Sequence, residues 1–320
     1  MRPVEAMFTD SWTIVQRAWW PITAIGLVLW GLWSLLVVLL AAVVRLGEWA
    51  RLWAGYVDVD GAYPDGLPVA MRTQLQQQAT DLFDEIGAGT WLAAGVILFA
   101  ATVLVASAHY AATYRLGAEA ASQRSATFRT GIDGMRTGTL RILGYNLLLV
   151  LLFAAVFAAV VGIAAVPALL TETLVPLTIG LGLLMVVLAF VAMFGLYGRL
   201  LPAFVQACVP TGAGALRWSW RVTRGRLWAV LGRYLLWSLA VSVVLNLVYS
   251  ALSLPLLLGG LFAWYVSPGW PLLIVSLIGI VVLSAVTALS WLGPVAIWRD
   301  LTGDGSYRAI DDDGSLVTYA

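Results

Sequence analysis

The sequence predicts an all-α integral membrane protein with six transmembrane helices. Of its 320 residues, 61% are hydrophobic and only 11% are charged, and the mean hydropathy is +0.91. A soluble domain carries about 25% charged residues. Apolar windows of about 20 residues, the length that crosses about 30 Å of hydrocarbon, recur along the chain, and arginines cluster between them. The composition therefore places the chain in the membrane class.

Six windows are long and apolar enough to span, and they cover residues 22–44, 91–108, 142–166, 174–197, a fifth stretch from 228, and 271–291. The first could alternatively be a signal peptide, but it exceeds the usual h-region, and we interpret it as a retained span. We expect Pro167 to end the third span. The apolar run to Phe262 is too long for one straight span, so we expect Pro255 and the Gly259-Gly260 pair to end or break it.

Arginine placement predicts the orientation, because basic residues that flank spans stay on the cytoplasmic side. With both termini inside, only Arg45, Arg51 and Arg72 of the 18 arginines fall outside. They belong to residues 45–89, the one sizeable exterior segment. Its stretch "LPVAMRTQLQQQATDLFDEIG" predicts a polar helix, and its scattered acidic side chains are more typical of a solvated face than of a cation site.

The expected organisation is a single polytopic membrane domain made of three helical hairpins and a tail. The cell membrane of a bacterium is the expected location. The parts are a first hairpin over 1–108 that includes the exterior segment, a second over 109–197, a third over 198–298, and an acidic cytoplasmic tail over 299–320.

One sequence pattern recurs in these hairpins and predicts an internal repeat. Residues 125–152 align with 213–240 through the pattern R-x6-R-x6-L-G-x2-L-L, which places Arg129 on Arg217 and Arg136 on Arg224. A weaker copy starts near Ala6 and places Arg17 at the second arginine position. Chance matches between Arg-flanked helices are the alternative. If the repeat is real, each copy is a surface helix followed by two spans.

The stretch "RWSWRVTRGRLWAVLGRYLLW", residues 217–237, predicts an amphipathic helix at the membrane interface that leads into the fifth span. On a helical wheel Leu216, Trp220, Thr223, Leu227, Val230 and Leu231 share an apolar arc, with arginines along its flanks. Gly225 is the expected elbow between surface helix and span. Tryptophan and arginine suit the headgroup level. The candidate contacts to anionic phospholipid headgroups are Arg217, Arg221, Arg224, Arg226, Arg233, Trp220 and Trp228.

The segment "ALRWSWRVTRGRLWAVLGRYLL", with the closing "GPVAIWRDLTGDG", resembles the membrane-domain family of glycerophosphoryl diester phosphodiesterases and related six-span bacterial proteins of unassigned function. The motif residues are Trp220, Thr223, Arg224, Gly225, Arg226, Trp228 and Gly232. The resemblance implies enzymatic activity only where a catalytic barrel follows the membrane part. Here 22 residues follow Trp298, so we expect no phosphodiesterase activity.

No catalytic or cofactor fingerprint appears in the sequence. One histidine, His109, and one cysteine, Cys208, cannot supply a clustered metal site. We expect His109 to be a satisfied histidine near the inner interface and Cys208 to be a small apolar residue, with acylation as a lesser alternative. The expectation is no metal, no cofactor and no nucleic acid.

The leading functional hypothesis is a non-enzymatic multi-pass membrane protein that interacts with lipids or acts as a scaffold or accessory subunit for another membrane protein. The alternative is a transporter, or a transporter subunit, for a lipid-like or small hydrophobic substrate. Asn146, Asn246 and Ser284 are the candidate intramembrane polar contacts, although such residues more often join helices by hydrogen bonds.

Overall fold

The computed structural model describes residues 4–62, 68–170, 175–210, 214–266, 270–302, 307–310 and 316–319. Helices dominate these segments, and a short β-hairpin lies near the C-terminus. The α-helices are α1 (Val4–Val43), α2 (Leu46–Ala62), α3 (Val69–Ile86), α4 (Ala88–Ala121), α5 (Phe128–Leu170), α6 (Val175–Cys208), α7 (Ala215–Val222), α8 (Leu227–Val266), α9 (Trp270–Thr287) and α10 (Gly293–Thr302). A 3-10 helix, Ala288–Leu292, joins α9 to α10, and β1 (Tyr307–Ile310) pairs antiparallel with β2 (Leu316–Tyr319).

Within the described residues, five helices are long and apolar enough to cross a membrane, and they match the first five predicted windows. Their apolar segments are Phe8–Val43, Ala88–Ala121, Phe128–Gly162, Leu183–Cys208 and Leu227–Leu247. The sixth window falls on α9, whose described apolar part, Ile274–Ser284, is shorter than a full span. Leucines such as Leu32, Leu35 and Leu39 of α1 are exposed along these segments. Exposed apolar surface on this scale indicates a membrane-embedded protein.

Two predicted helix breaks are wrong. α8 continues as one helix through Pro255 and the Gly259-Gly260 pair, and α5 continues past Pro167 to Leu170. In hydrocarbon no water can bind a freed backbone group, so a helix keeps its internal hydrogen bonds and tolerates proline and glycine. The segments before the first and third spans are also not separate surface helices, because they are continuous with α1 and α5.

The chain forms two compact units. The first comprises Met1–Ile22, Ser107–Val241 and Ala288–Ala320, and the second comprises Thr23–Ala106 and Ser242–Thr287. In the first unit α6 packs against α5, α7 and α10. Its core includes the ends of helices that were predicted to meet the cytoplasmic surface, and Leu116, Leu201, Val205 and Trp298 are all buried there. Trp298 donates its indole N–H to Gln206 Oε1 at 2.8 Å.

The second unit contains α2 and α3. The polar helix predicted in the exterior segment is present as α3, while α2 is a further helix that the sequence patterns did not predict. Arg45 joins the two helices, because its guanidinium pairs with Glu48 at 2.5 Å and also with Glu85. Within this unit Trp33 Nε1 donates to Thr102 Oγ1 at 2.9 Å, which joins α1 to α4.

Candidate lipid-headgroup interface

The interface is built on α7 and the turn that follows it. Gly214, with φ of 75°, precedes α7, and the helix ends at Val222. Thr223 Oγ1 donates to the Ser219 carbonyl at 2.8 Å, and Gly225 then adopts φ of 74° before α8 begins. This left-handed conformation is nearly free of strain only for glycine. The prediction of an elbow at Gly225 is therefore confirmed.

Small residues attach α7 to the rest of the first unit. Ala215, Ser219 and Thr223 are buried at a spacing of four residues, so they form one face of the helical segment. Ser219 Oγ donates to the carbonyl of Arg199, on α6. Short side chains on this face allow α7 to approach α6 closely.

Trp220 lies on the exposed side of α7. Its side chain is 52% exposed, and the guanidinium carbon of Arg199 lies 4.3 Å from its ring centroid. A cation over the face of a tryptophan is an attractive arrangement. The exposed Trp220 ring is thus held in place from the protein side while one part of its surface stays available.

Four of the five predicted arginines form an exposed cationic surface, which we call the arginine face. Arg217, Arg221, Arg224 and Arg226 are exposed, and none forms an ion pair within the described segments. Trp228, 70% exposed, lies beside them in sequence. The arrangement combines positive charge with aromatic rings, which is what anionic headgroups and the acyl boundary each attract.

Arg233, the fifth predicted headgroup contact, has a different environment. It is buried and forms an ion pair with Asp300 of α10, whose side chain is 1% exposed. A second pair, Arg299 to Asp10 at 3.3 Å, joins α10 to α1. A guanidinium enclosed in this way stabilises helix packing and does not face lipid. The assignment of Arg233 to the headgroups is therefore wrong. Sequence patterns missed the ion pair because the two partners are distant in sequence.

Sequence reasoning missed other exposed residues of the same kind in the first unit. Arg129 and Arg136, the repeat partners of Arg217 and Arg224, are exposed. On α1 the tryptophans Trp12, Trp19 and Trp20 are also exposed. Arg17 is exposed as well, and it donates to the carbonyl of Ala120 at 3.4 Å, near the end of α4. The repeat alignment itself was the signal that could have identified Arg129 and Arg136.

The predicted intramembrane polar residues do not belong to one unit. Asn146 is half-buried on α5 in the first unit, while Asn246 and Ser284 belong to the second. The Asn246 amide donates to the carbonyl of Ser242, one turn earlier in its own helix, at 2.8 Å. This hydrogen bond satisfies the amide locally, so it does not by itself indicate a substrate site.

His109 and Cys208 are both buried in the first unit. The imidazole lies edge-on to Trp291 with centroids 5.3 Å apart, and the thiol donates to the Phe204 carbonyl at 3.2 Å. Burial removes Cys208 from any acylating partner at the surface. In the part of the chain that the structure describes, no three His, Cys, Asp or Glu side chains lie close enough to hold a metal ion.

No protein-family model, curated protein or solved structure matches this chain.

Proposed function

We propose that this protein is a non-enzymatic, multi-pass membrane protein that gathers anionic phospholipids through its arginine face and serves as a lipid-organising or accessory subunit in a bacterial cell membrane. The observation that carries the proposal is the exposure of four arginines without ion pairs among the described residues, next to the exposed Trp220 and Trp228. Soluble surfaces usually intersperse charges of both signs, whereas this face carries only one.

The magnitudes favour a headgroup position for the arginine face. Each basic residue near an anionic surface contributes about 1 kcal/mol, which for four arginines amounts to up to about 4 kcal/mol. Placing one arginine at the bilayer centre costs about 2.5–3.5 kcal/mol on the insertion scale. The turn at Gly225 lets α8 leave the headgroup level while α7 stays there.

The proposal includes a topology. Six spans, with α9 as the sixth and both termini in the cytoplasm, place the arginine face at the inner leaflet, where anionic lipids give a negative surface potential. The three-fold repeat and the resemblance to the membrane-domain family are parts of the same proposal. The arginines are exposed at both aligned positions of the pattern, which supports the repeat. The aligned residues are Arg129 with Arg217 and Arg136 with Arg224.

The test measures lipid selectivity of the full chain in phosphatidylcholine vesicles. Trace spin-labelled phosphatidylglycerol or phosphatidylcholine is added, and the motionally restricted fraction of each label is determined by electron paramagnetic resonance. We expect the native protein to restrict the anionic label more strongly. Replacing Arg217, Arg221, Arg224 and Arg226 by glutamine should bring the two labels to equal restriction, because the attraction is electrostatic.

The matched control replaces the same four arginines by lysine, which keeps the charge and should keep the preference. The preference of the native protein should also weaken as salt rises, since the Debye length falls to about 10 Å at 0.1 M. A glutamine variant that retains the full preference for phosphatidylglycerol would show that the arginine face is not the lipid site.

A further inference from the structure

A cavity of about 310 Å³ lies between α2 and α3 in the second unit. Its lining residues lie on successive turns of each helix, so one face of α2 is opposite one face of α3 across the cavity. The lining residues are Trp49, Leu52, Tyr56, Arg72, Leu75, Gln76 and Ala79.

Most of this lining is apolar, yet the side chains do not close the gap. Apolar surfaces that face each other across water lower their free energy by meeting or by enclosing an apolar guest. One wall is fixed from behind, because Trp49 packs edge-on against Trp91 and Trp91 stacks on Phe83, with centroids 5.9 and 6.3 Å apart. The volume falls within the range of small-molecule sites, about 300–1,000 Å³.

The charge at the lining has one sign. Arg72 is exposed and forms no ion pair within the described part of the chain. The nearby cation Arg45 is already neutralised by Glu48 and Glu85, and its hydrogen bonds to these carboxylates raise the pKa of its guanidinium. Trp49 adds a buried indole N–H that has no hydrogen-bond partner among the described residues. Arg72 therefore supplies an uncompensated positive charge beside an apolar gap.

We propose that the cavity between α2 and α3 binds one alkyl chain that carries a carboxylate or phosphate. Leu52, Leu75 and the rings of Trp49 and Tyr56 hold the chain, and Arg72 holds the anionic end. The cavity has room for about ten groups of the size of a water molecule, at about 30 Å³ each, so it takes part of a long chain. α2 and α3 connect α1 to α4, two helices long and apolar enough to cross the membrane. The cavity therefore lies close to a source of membrane amphiphiles.

The cavity shares no residue with the arginine face, and the two lie in different units. The test uses the full chain in phosphatidylcholine nanodiscs with a diazirine-bearing C16 fatty acid. After irradiation and digestion, mass spectrometry quantifies the label on residues 73–79. We expect labelling there that excess unlabelled fatty acid removes, and weaker labelling by the matching diazirine alcohol, which lacks the charge.

Two variants, each with a matched control, locate the bound chain. Ala79→Trp should abolish the label on this segment by filling the cavity, whereas the control Gln74→Trp, which adds the same ring at an exposed position outside the lining, should not. Arg72→Gln should reduce fatty-acid labelling to the level of the alcohol, and Arg72→Lys should restore it. Circular dichroism of each variant checks that the helices are retained, and the Arg72 pair tests the site even if Ala79→Trp unfolds.

Competition by unlabelled lysophosphatidic acid against unlabelled fatty acid distinguishes a phosphate from a carboxylate source. Equal labelling by the acid and the alcohol in the native protein would overturn the proposal. So would undiminished labelling in a folded Ala79→Trp variant.

Discussion

Gly225 shows how one residue determines a local architecture. With φ of 74° it lies in the turn between α7 and α8 and allows α8 to start in a new direction, and open space surrounds the position of a Cβ atom. Conformation, and not crowding, is therefore the reason for glycine here. In the repeat alignment Ala18 and Thr137 occupy the equivalent positions, and both lie inside continuous helices.

Gly225→Ala should lower the free energy of unfolding by about 1–2 kcal/mol, the cost of left-handed backbone for an L-residue. The measurement is reversible unfolding of the purified protein in mixed micelles. Gly232→Ala is the control, because Gly232 lies within α8 and a methyl group added there would meet open space, and it should be neutral or stabilising by up to about 1 kcal/mol. Similar losses from both changes would contradict the conformational explanation.

The sequence patterns predicted the environment of some side chains of this region and not of others. Local sequence identified Gly225 and the exposure of Arg217, Arg221, Arg224 and Arg226. A helical wheel ranks faces by hydrophobicity, so it did not identify Ala215 and Ser219, whose small side chains are buried where α7 packs against α6. The partner of Arg233 lies 67 residues away, and no local pattern carries that information.

At the scale of elements, ion pairs connect α10 to other helices of the first unit. Arg233 joins it to α8 and Arg299 joins it to α1. Trp237 of α8 adds a hydrogen bond from its indole to the Ser290 carbonyl at 2.8 Å, in the 3-10 helix before α10. Removing one member of a buried pair leaves an uncompensated charge, which is far more costly than losing an exposed charge.

We expect Arg233→Gln to destabilise the protein by about 3–5 kcal/mol, while Arg217→Gln changes stability by less than about 0.5 kcal/mol, as exposed positions do. Unfolding in mixed micelles measures both. In a double-mutant cycle, Arg233→Gln combined with Asp300→Asn should cost clearly less than the sum of the single changes. Additive losses would mean that the two side chains do not interact.

The locations of the long apolar helices were more predictable than the residues at which they end. The apolar windows located five described helices because about 20 consecutive apolar residues have few other solutions in a membrane. The breaks expected at Pro255 and Pro167 came from rules for water-exposed helices, where solvent compensates lost hydrogen bonds. α2 was not predicted because acidic residues and glycines interrupt its aromatic and apolar positions.

For the whole molecule, the distribution of arginine predicts one orientation. The exterior segment should carry α2 and α3, and the connection between α4 and α5 should lie in the cytoplasm. Gln77 on α3 and Ser125 before α5 are both exposed, so each can report its side of the membrane when replaced by cysteine.

Cys208→Ala removes the native thiol, and single cysteines at positions 77 and 125 are then treated with a membrane-impermeant maleimide in intact cells. Position 77 should react in intact cells, while position 125 should react only after permeabilisation, because retained arginines hold that loop inside. Reaction at 125 without permeabilisation would reverse the proposed orientation.

The Arg233–Asp300 pair also has a consequence for biosynthesis. Asp300 is added 67 residues after Arg233, an interval of about 3–13 s at 5–20 residues per second. Throughout that time the guanidinium has no carboxylate from α10, so it must stay hydrated or contact lipid phosphate. The packing of α8 against α10 through this ion pair therefore waits until α10 has left the ribosome.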